Sequence, residues 1–292
     1  MPDLACLSLN TEERGTAMEF TLLGPLTAVH EGTELGLGGN KQQMLLAYLL
    51  LHANRQVTVD EIVDVLWGDR PPASAVKNIH LYIGRLRRVF AAVEPGRRLQ
   101  TVGRGYLLAA EPEELDLART RSLARDGRIA RRADDPERAA RLFREALGLW
   151  RGRPLAALAG SDALAGEVRC LEELWLMLHE DYFQARLDTG RHREILPELH
   201  RLVAAHPRQE RFRFQLMLAF SRSGDRAAAL GVYRSGYRLL VDDLGIEPCR
   251  ELRELHDRIL ADTVTAHPAS AGPAGPLSRH TGHHRAVLSA SR

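Results

Sequence analysis

From Leu115 to about Thr263, helix breakers interrupt the chain at Asp134-Asp135-Pro136, Gly152–Pro154, Gly190, Pro207, Gly224 and Gly245–Pro248. Between the breaks, apolar residues recur at helical spacing over roughly 115–133, 136–150, 163–188, 192–205, 208–223, 225–243 and 248–263. Each run is too long for an ordinary strand, and each needs a neighbour to cover its apolar face. A stack of helices satisfies all of them at once.

A weak internal repeat sharpens that expectation. Gly190 and Gly224 each end one helix and open the next, 34 residues apart, and Leu196/Leu230 and Leu199/Tyr233 keep the same offset. This is the tetratricopeptide period, a helix-turn-helix unit that buries its apolar face by stacking. Residues 111–264 are therefore expected to form an all-α, tetratricopeptide-like domain. Residues 18–110 read differently. Phe20, Leu22, Leu23 and Val29 sit in a first sheet segment and Glu34–Leu37 in a second. Lys41–Ala53 carries Met44, Leu45, Ala47, Tyr48 and Leu51 at helical spacing. Thr58 is placed to cap a helix over Val59–Trp67, with Glu61 completing a capping box. Pro71 and Pro72 break the chain, and Ser74 is placed to cap a third helix running to about Phe90. After a turn at Pro95-Gly96, Leu99–Val102 and Tyr106–Leu108 read as a hairpin around Gly103-Arg104-Gly105. The expected fold class is mainly α, an α+β domain followed by an all-helical one.

The chain has 292 residues, 45% hydrophobic and 27% charged, which suits about two packed domains. Its net charge is only +2, so affinity for a polyanion must come from local clustering. Cys6, Cys170 and Cys249 are far apart and lack metal-ligand spacing, which points to free thiols in a reducing cytoplasm. No apolar run reaches the ~18 residues of a membrane span, and the first residues carry no secretory pattern. A cytoplasmic, nucleoid-associated protein with no membrane partner is expected. Residues 1–17 are polar and patternless and Met18 opens the first strand-like run, so either Met1 or Met18 is the expected start. Residues 1–17 and the Ala-, Pro-, Gly-, Ser- and His-rich stretch from about Thr265 are expected to be disordered.

On a helical wheel, Ser74–Phe90 is two-sided. Val76, Ile79, Ile83, Leu86 and Phe90 form a core stripe. Ser74, Lys77, Asn78, Leu81, Arg85 and Arg88 face away from it, flanked by His80 and Tyr82. Arg pairs bidentately with guanine, Asn with adenine, and Leu or Tyr touches a thymine methyl, so this face suits a DNA major groove. Arg87 lies toward the buried side and is expected to brace the domain or touch phosphate. Between Ser74 and Tyr106 the bases are Lys77, Arg85, Arg87, Arg88, Arg97, Arg98 and Arg104, against the single acid Glu94. The helix before them carries Asp60, Glu61 and Asp64. A basic helix face alone fits simple solvation equally well. The hairpin behind it shifts the reading, because three helices followed by a hairpin is the winged-helix order, in which the wing reaches the neighbouring minor groove or backbone.

Three runs carry a family resemblance in this region: Val59-Asp60-Glu61-Ile62-Val63-Asp64-Val65-Leu66-Trp67-Gly68, Tyr82-Ile83-Gly84-Arg85-Leu86-Arg87-Arg88 and Thr101-Val102-Gly103-Arg104-Gly105-Tyr106. On them, Met18–Leu108 resembles the winged-helix domain of OmpR/PhoB-type regulators. Further runs are Leu23-Gly24-Pro25-Leu26, Leu147-Gly148-Leu149-Trp150-Arg151-Gly152, Leu171-Glu172-Glu173-Leu174, Leu216-Met217-Leu218-Ala219 and Leu244-Gly245-Ile246-Glu247-Pro248. With these, 18–263 resembles the Streptomyces antibiotic regulatory protein (SARP) family, whose helical part is the bacterial transcriptional activator domain. The resemblance implies a pathway-specific activator of a secondary-metabolite (antibiotic) cluster, without enzymatic activity or cofactor. It implies binding to direct repeats in double-stranded promoter DNA near the −35 region and recruitment of RNA polymerase holoenzyme. A homodimer is expected, at least on DNA. By position, Lys77, Asn78, Tyr82 and Arg85 match the contacting positions of the recognition helix, and Thr101, Arg104 and Tyr106 match the wing. The wing is a residue shorter than in response-regulator relatives, and no receiver stretch stands ahead of residue 18, so aspartate phosphorylation is not the expected switch. The full expected interface is Ser74, Lys77, Asn78, Leu81, Tyr82, Arg85, Arg87, Arg88, Thr101, Arg104 and Tyr106. Helix Val59–Trp67 and the turn Gly68–Ala73 are candidates for the polymerase contact.

Other constellations are weaker. Gly36–Lys41 resembles a phosphate loop only superficially, since Gln42 follows Lys41, and a strand-to-helix turn is the better reading. His280, His283 and His284 lack the ordered surroundings of a metal site. Leu174–Leu178 with Tyr182 and Phe183 reads as core before it reads as a pocket. No Ser/His/Asp or Cys/His arrangement is supported. A competing expectation is a ligand- or partner-sensing helical module, motivated by a helical region larger than the α+β one.

Overall fold

The structure, a computed structural model, describes residues 18–94, 96, 98–158 and 164–263. The expectations placed on residues 1–17, Arg97 and the stretch from Thr265, with His280, His283 and His284, lie outside the described residues. The chain divides into two compact units, the first ending at Asp188 and the second beginning at Thr189.

The first unit opens with an antiparallel meander, β1 (Met18–Thr21), β2 (Thr27–His30) and β3 (Thr33–Glu34). The strand expected at Glu34–Leu37 thus begins earlier and is shorter. Glu31 and Gly32, at φ 50° and 76°, join His30 to its partner Thr33, and two central residues at positive φ are what a tight hairpin with right-handed strand twist requires. Helix α1 (Asn40–Leu51) buries Met44, Leu45, Ala47 and Leu49. Helix α2 (Val59–Trp67) starts as expected: the Glu61 amide donates to Thr58 Oγ1 at 3.2 Å, and the Thr58 amide donates to Glu61 Oε2 at 2.7 Å.

Helix α3 (Ala75–Ala91) buries Ala75, Ile79, Ile83, Leu86 and Phe90. This corrects one member of the expected stripe, because Val76 is 48% exposed and Ala75 takes its place. On the wheel the two positions flank the stripe symmetrically, so periodicity alone does not separate them. The Phe90 ring meets Phe20 of β1 edge-on at 6.0 Å. The hairpin that follows is β5 (Leu99–Val102) and β6 (Gly105–Leu108), joined by Gly103 at φ 53° and Arg104. A further strand, β4 (Val57–Thr58), completes a sheet of order β4-β6-β5. Gly105 admits it, since a Cβ there would lie 2.2 Å from the Val57 carbonyl oxygen.

Helices α4 (Asp116–Arg132), α5 (Pro136–Gly148) and α6 (Ala165–Asp188) follow, α5 packing against both its neighbours. The first unit therefore runs past the sequence boundary drawn at 110/111. The Asp116 carboxylate accepts hydrogen bonds from the amides of Leu22 and Leu23, each at 2.9 Å, where β1 ends. The Leu23 and Leu22 carbonyls accept from the amides of Arg151 at 2.7 Å and Leu155 at 3.2 Å, beyond α5. One hydrophobic cluster contains Met18 and Phe20 together with Leu155, Leu158, Leu164, Val168 and Leu171.

The second unit is helical: α7 (His192–Ala205), α8 (Glu210–Arg222), α9 (Arg226–Tyr237) and α10 (Arg250–Leu260). Each of α7, α9 and α10 packs on α8. The single helix expected over 225–243 ends as α-helix at Tyr237 and continues as a π-helical stretch, Arg238–Asp243. The fold is mainly α, a winged-helix region followed by helices.

Candidate nucleic-acid interface

The outward face of α3 is polar and open. Lys77, Arg85 and Arg88 are exposed, Asn78 and Tyr82 are half-buried, and Leu81 is 45% exposed. Among the described residues, no carboxylate lies within salt-bridge reach of Lys77, Arg85, Arg88 or Arg104. Among the described residues, the one internal bond made by the Lys77, Arg85, Arg88 and Arg104 side chains is a long one, from Arg88 Nε to the Gly84 carbonyl at 3.4 Å.

Ser74 sits at the start of the helix but does not cap it through its side chain, which corrects that expectation. Its ψ of 9° is not the extended value that aims a capping oxygen at the first free amides. Its Oγ instead accepts from Asn78 Nδ2 at 3.2 Å, so the Asn78 amide is oriented along the helix surface.

Arg87 has a different task from its neighbours. Its Nε donates to the Leu99 carbonyl at 2.9 Å and its Nη2 to Thr101 Oγ1 at 2.7 Å. The guanidinium also lies 5.9 Å above the Tyr106 ring. Arg87 and Thr101 thus fix the wing to α3. Tyr106, expected on the wing surface, is only 5% exposed and belongs to the core. Burial pushes its phenol above the ordinary tyrosine value, and the Arg87 charge only partly offsets this. At the hairpin tip the Arg104 side chain is exposed, while its carbonyl accepts from the Val59 amide at 3.1 Å and ties the tip to the start of α2.

Arg98 drops out of the basic cluster counted in the sequence. Its Nε donates to Glu94 Oε2 at 2.9 Å and its Nη1 to Glu114 Oε2 at 2.7 Å. Burial works against its charge, but the hydrogen bonds and fields of Glu114 and Glu94 prevail and raise its pKa. Lys41 is likewise occupied, its Nζ donating to the Leu66 carbonyl beside the Trp67 ring, so the Gly36–Lys41 turn presents no free lysine to a phosphate.

Sequence reasoning passed over Gly84. It lies mid-helix on the outward face, where glycine costs about 1 kcal/mol relative to alanine. A Cβ placed there meets nothing within 4 Å. The signal was a glycine inside an otherwise regular helical pattern.

Elsewhere, Leu178, Tyr182 and Phe183 of α6 are buried, while Met177 is 47% exposed. Among the described residues, no group of three His, Cys, Asp or Glu is placed to hold a metal ion. No described helix is long and apolar enough to cross a membrane.

Comparison with known proteins agrees with this geometry. Residues 32–108 match the family model "Transcriptional regulatory protein, C terminal", and residues 115–260 match "Bacterial transcriptional activator domain". The chain is 43% identical over 262 residues to the regulatory protein AfsR of Streptomyces coelicolor, covering 89% of this chain and 26% of that protein. It thus spans about a quarter of the length of that relative. It is 36% identical over 250 residues to the regulatory protein DnrI of Streptomyces peucetius, covering 83% of this chain and 92% of that one. Among solved structures, Mycobacterium tuberculosis EmbR, captured with a low-affinity phosphopeptide, matches with a TM-score of 0.82 and 34% identity over 84% of this chain and 65% of its own. The winged-helix region, the activator-domain match and the near full-length match to DnrI place this chain in the SARP family of transcriptional regulators.

Proposed function

We propose that the chain is a sequence-specific DNA-binding activator in which residues 18–110 read promoter DNA and residues 111–264 form the activator domain. The observation that carries this reading is the face of α3. Among the described residues no carboxylate pairs with Lys77, Arg85 or Arg88 there, beside a wing that Arg87 holds in place. A solvated face has no need of a wing fixed alongside it, whereas a groove reader does. Lys77, Asn78, Leu81, Tyr82 and Arg85 face the bases, with Arg88, Thr101 and Arg104 toward the phosphates. Ser74 holds Asn78, and Arg87 acts through the wing. Family membership supports a pathway-specific role in a secondary-metabolite cluster. It also supports recruitment of RNA polymerase from a site near the −35 region. Two copies on a direct repeat gain affinity through effective concentration, which supports a homodimer on DNA.

The test is promoter-fragment binding as a function of salt. The logarithm of the association constant should fall by about 0.9 per log unit of salt for each phosphate neutralised. Arg85→Ala is expected to weaken specific binding by roughly 1–3 kcal/mol, the worth of one bidentate base contact. Unchanged binding for both Arg85→Ala and Lys77→Ala would remove α3 as the reading element.

A further inference from the structure

The reading face of α3 has a notch at Gly84. His80 and Leu81 stand one turn before it and Arg88 one turn after, on the same side of the helix. Three observations make glycine unexpected here. The position is helical, where glycine is the poorest residue after proline. Its φ is not in the left-handed region that favours glycine. A side chain would meet no neighbour, since nothing lies within 4 Å of a Cβ built there. Among the described residues nothing calls for glycine here, as nothing does at Gly231 within α9; what sets Gly84 apart is its place on the reading face beside the exposed Leu81, where a body outside the protein can come close to the backbone.

The chemistry of the notch narrows what that body is. The Gly84 carbonyl is engaged by the helix and by Arg88 Nε at 3.4 Å, so the floor of the notch is the bare Cα. One wall is Leu81, an apolar side chain left 45% exposed among Lys77, Arg85 and Arg88. An apolar floor beside an apolar wall suits a methyl group, and the apolar group that the major groove offers is the thymine C5-methyl. Building on the DNA-binding reading above, we infer that Gly84 is the point of closest approach between α3 and the groove, with a thymine methyl seated between its Cα and Leu81. A methyl at residue 84 would take the place of the thymine methyl and hold the whole helix off the groove floor.

The probe is the duplex that the 292-residue chain enriches from a randomised library. Gly84→Ala is expected to raise the melting temperature by about 2–4 °C, as a relieved helix interior should. The same change should weaken the enriched duplex roughly tenfold, within the usual cost of one lost base contact. Replacing thymines one at a time by deoxyuridine should reveal one position that costs the wild type affinity and costs Gly84→Ala nothing more. The loss caused by Gly84→Ala should persist in an Arg88→Ala background. Equal binding by Gly84→Ala overturns the inference, and so does a lowered melting temperature, which would make the glycine structural. A loss that vanishes without Arg88 overturns it too, by making the glycine a seat for that side chain. The absence of any methyl-sensitive thymine removes the assigned contact. If no duplex is enriched, the DNA-binding reading fails and takes this inference with it, whereas an enriched duplex that Gly84→Ala binds equally well overturns the inference alone.

Discussion

Arg85 and Arg98 are the same residue type in the same basic stretch, yet the structure gives them opposite work. Arg85 is exposed and pairs with no carboxylate among the described residues, while the Arg98 side chain is 10% exposed between Glu94 and Glu114 and lies 5.7 Å from the Phe20 ring. Removing one member of a buried ion pair leaves the other charge without compensation, a loss of roughly 3–5 kcal/mol. Arg98→Ala should therefore lower stability on urea unfolding by about 3 kcal/mol while leaving the salt slope of DNA binding unchanged. Arg85→Ala should do the reverse, and a salt slope that changed with Arg98 would return it to the interface. This distinction was not legible in the sequence, because Glu114 lies 16 residues away in the segment that leads into α4. The Thr58–Glu61 cap, by contrast, is local and was legible. The Thr58 backbone and hydroxyl hydrogen bonds hold the Glu61 carboxyl below its ordinary value of 4.5. A carboxylate with a lowered folded pKa contributes stability that is fully present above its unfolded pKa and is lost as pH falls through the folded one. The melting-temperature difference between wild type and Glu61→Ala should accordingly shrink between about pH 6 and pH 3. A difference that stayed constant over that range would assign the effect of Glu61 to packing.

At the scale of elements, what was legible depended on how local the cause is. Ile79, Ile83, Leu86 and Phe90 repeat within one helix, and their spacing marked the buried face of α3 correctly. Strand β4 is two residues long and exists because Val57 and Thr58 pair with Tyr106 and Gly105, far along the chain. No periodicity can signal a strand that short. Asp116 is a second non-local case. It is the first residue of α4 and its carboxylate takes the amides of Leu22 and Leu23, so one side chain fastens the end of β1 to the helix that follows the wing. Burial raises its pKa, and the amide bonds from Leu23, Leu22 and Leu117 only partly counter that. Asp116→Ala would leave amides at the end of β1 without a partner, at about 1–3 kcal/mol for each that stays buried. A total loss of roughly 2–4 kcal/mol in urea unfolding is expected, with Asp116→Asn retaining part of it because its amide oxygen still accepts. A loss below about 0.5 kcal/mol would show that water replaces the carboxylate at no cost.

At the scale of the whole molecule, the sequence families and the packing divide the chain at different places. The matched families meet between residues 108 and 115, while the first compact unit continues to Asp188. Cutting at residue 110 would remove Asp116 from Leu22 and Leu23, Glu114 from Arg98, and Leu155, Leu158, Leu164, Val168 and Leu171 from the cluster that holds Phe20. Three separate supports for β1 and for the hairpin end of the winged helix would go at once. A typical domain has only about 5–15 kcal/mol to lose, and the cut removes a buried ion pair together with several core side chains worth about 1.5–3 kcal/mol each. A fragment of residues 18–188 should therefore unfold cooperatively in urea, whereas residues 18–110 should show a broad transition or none. The consequence for function is direct: weak DNA binding by 18–110 would report a damaged reading head, and would say nothing about dimerisation. Binding by 18–188, compared with the full chain on a single half-site and on a direct repeat, separates the two causes. If the shorter fragment instead unfolds in one sharp transition and binds a half-site as tightly as 18–188, the winged helix is self-sufficient and the contacts at Asp116 and Glu114 are dispensable.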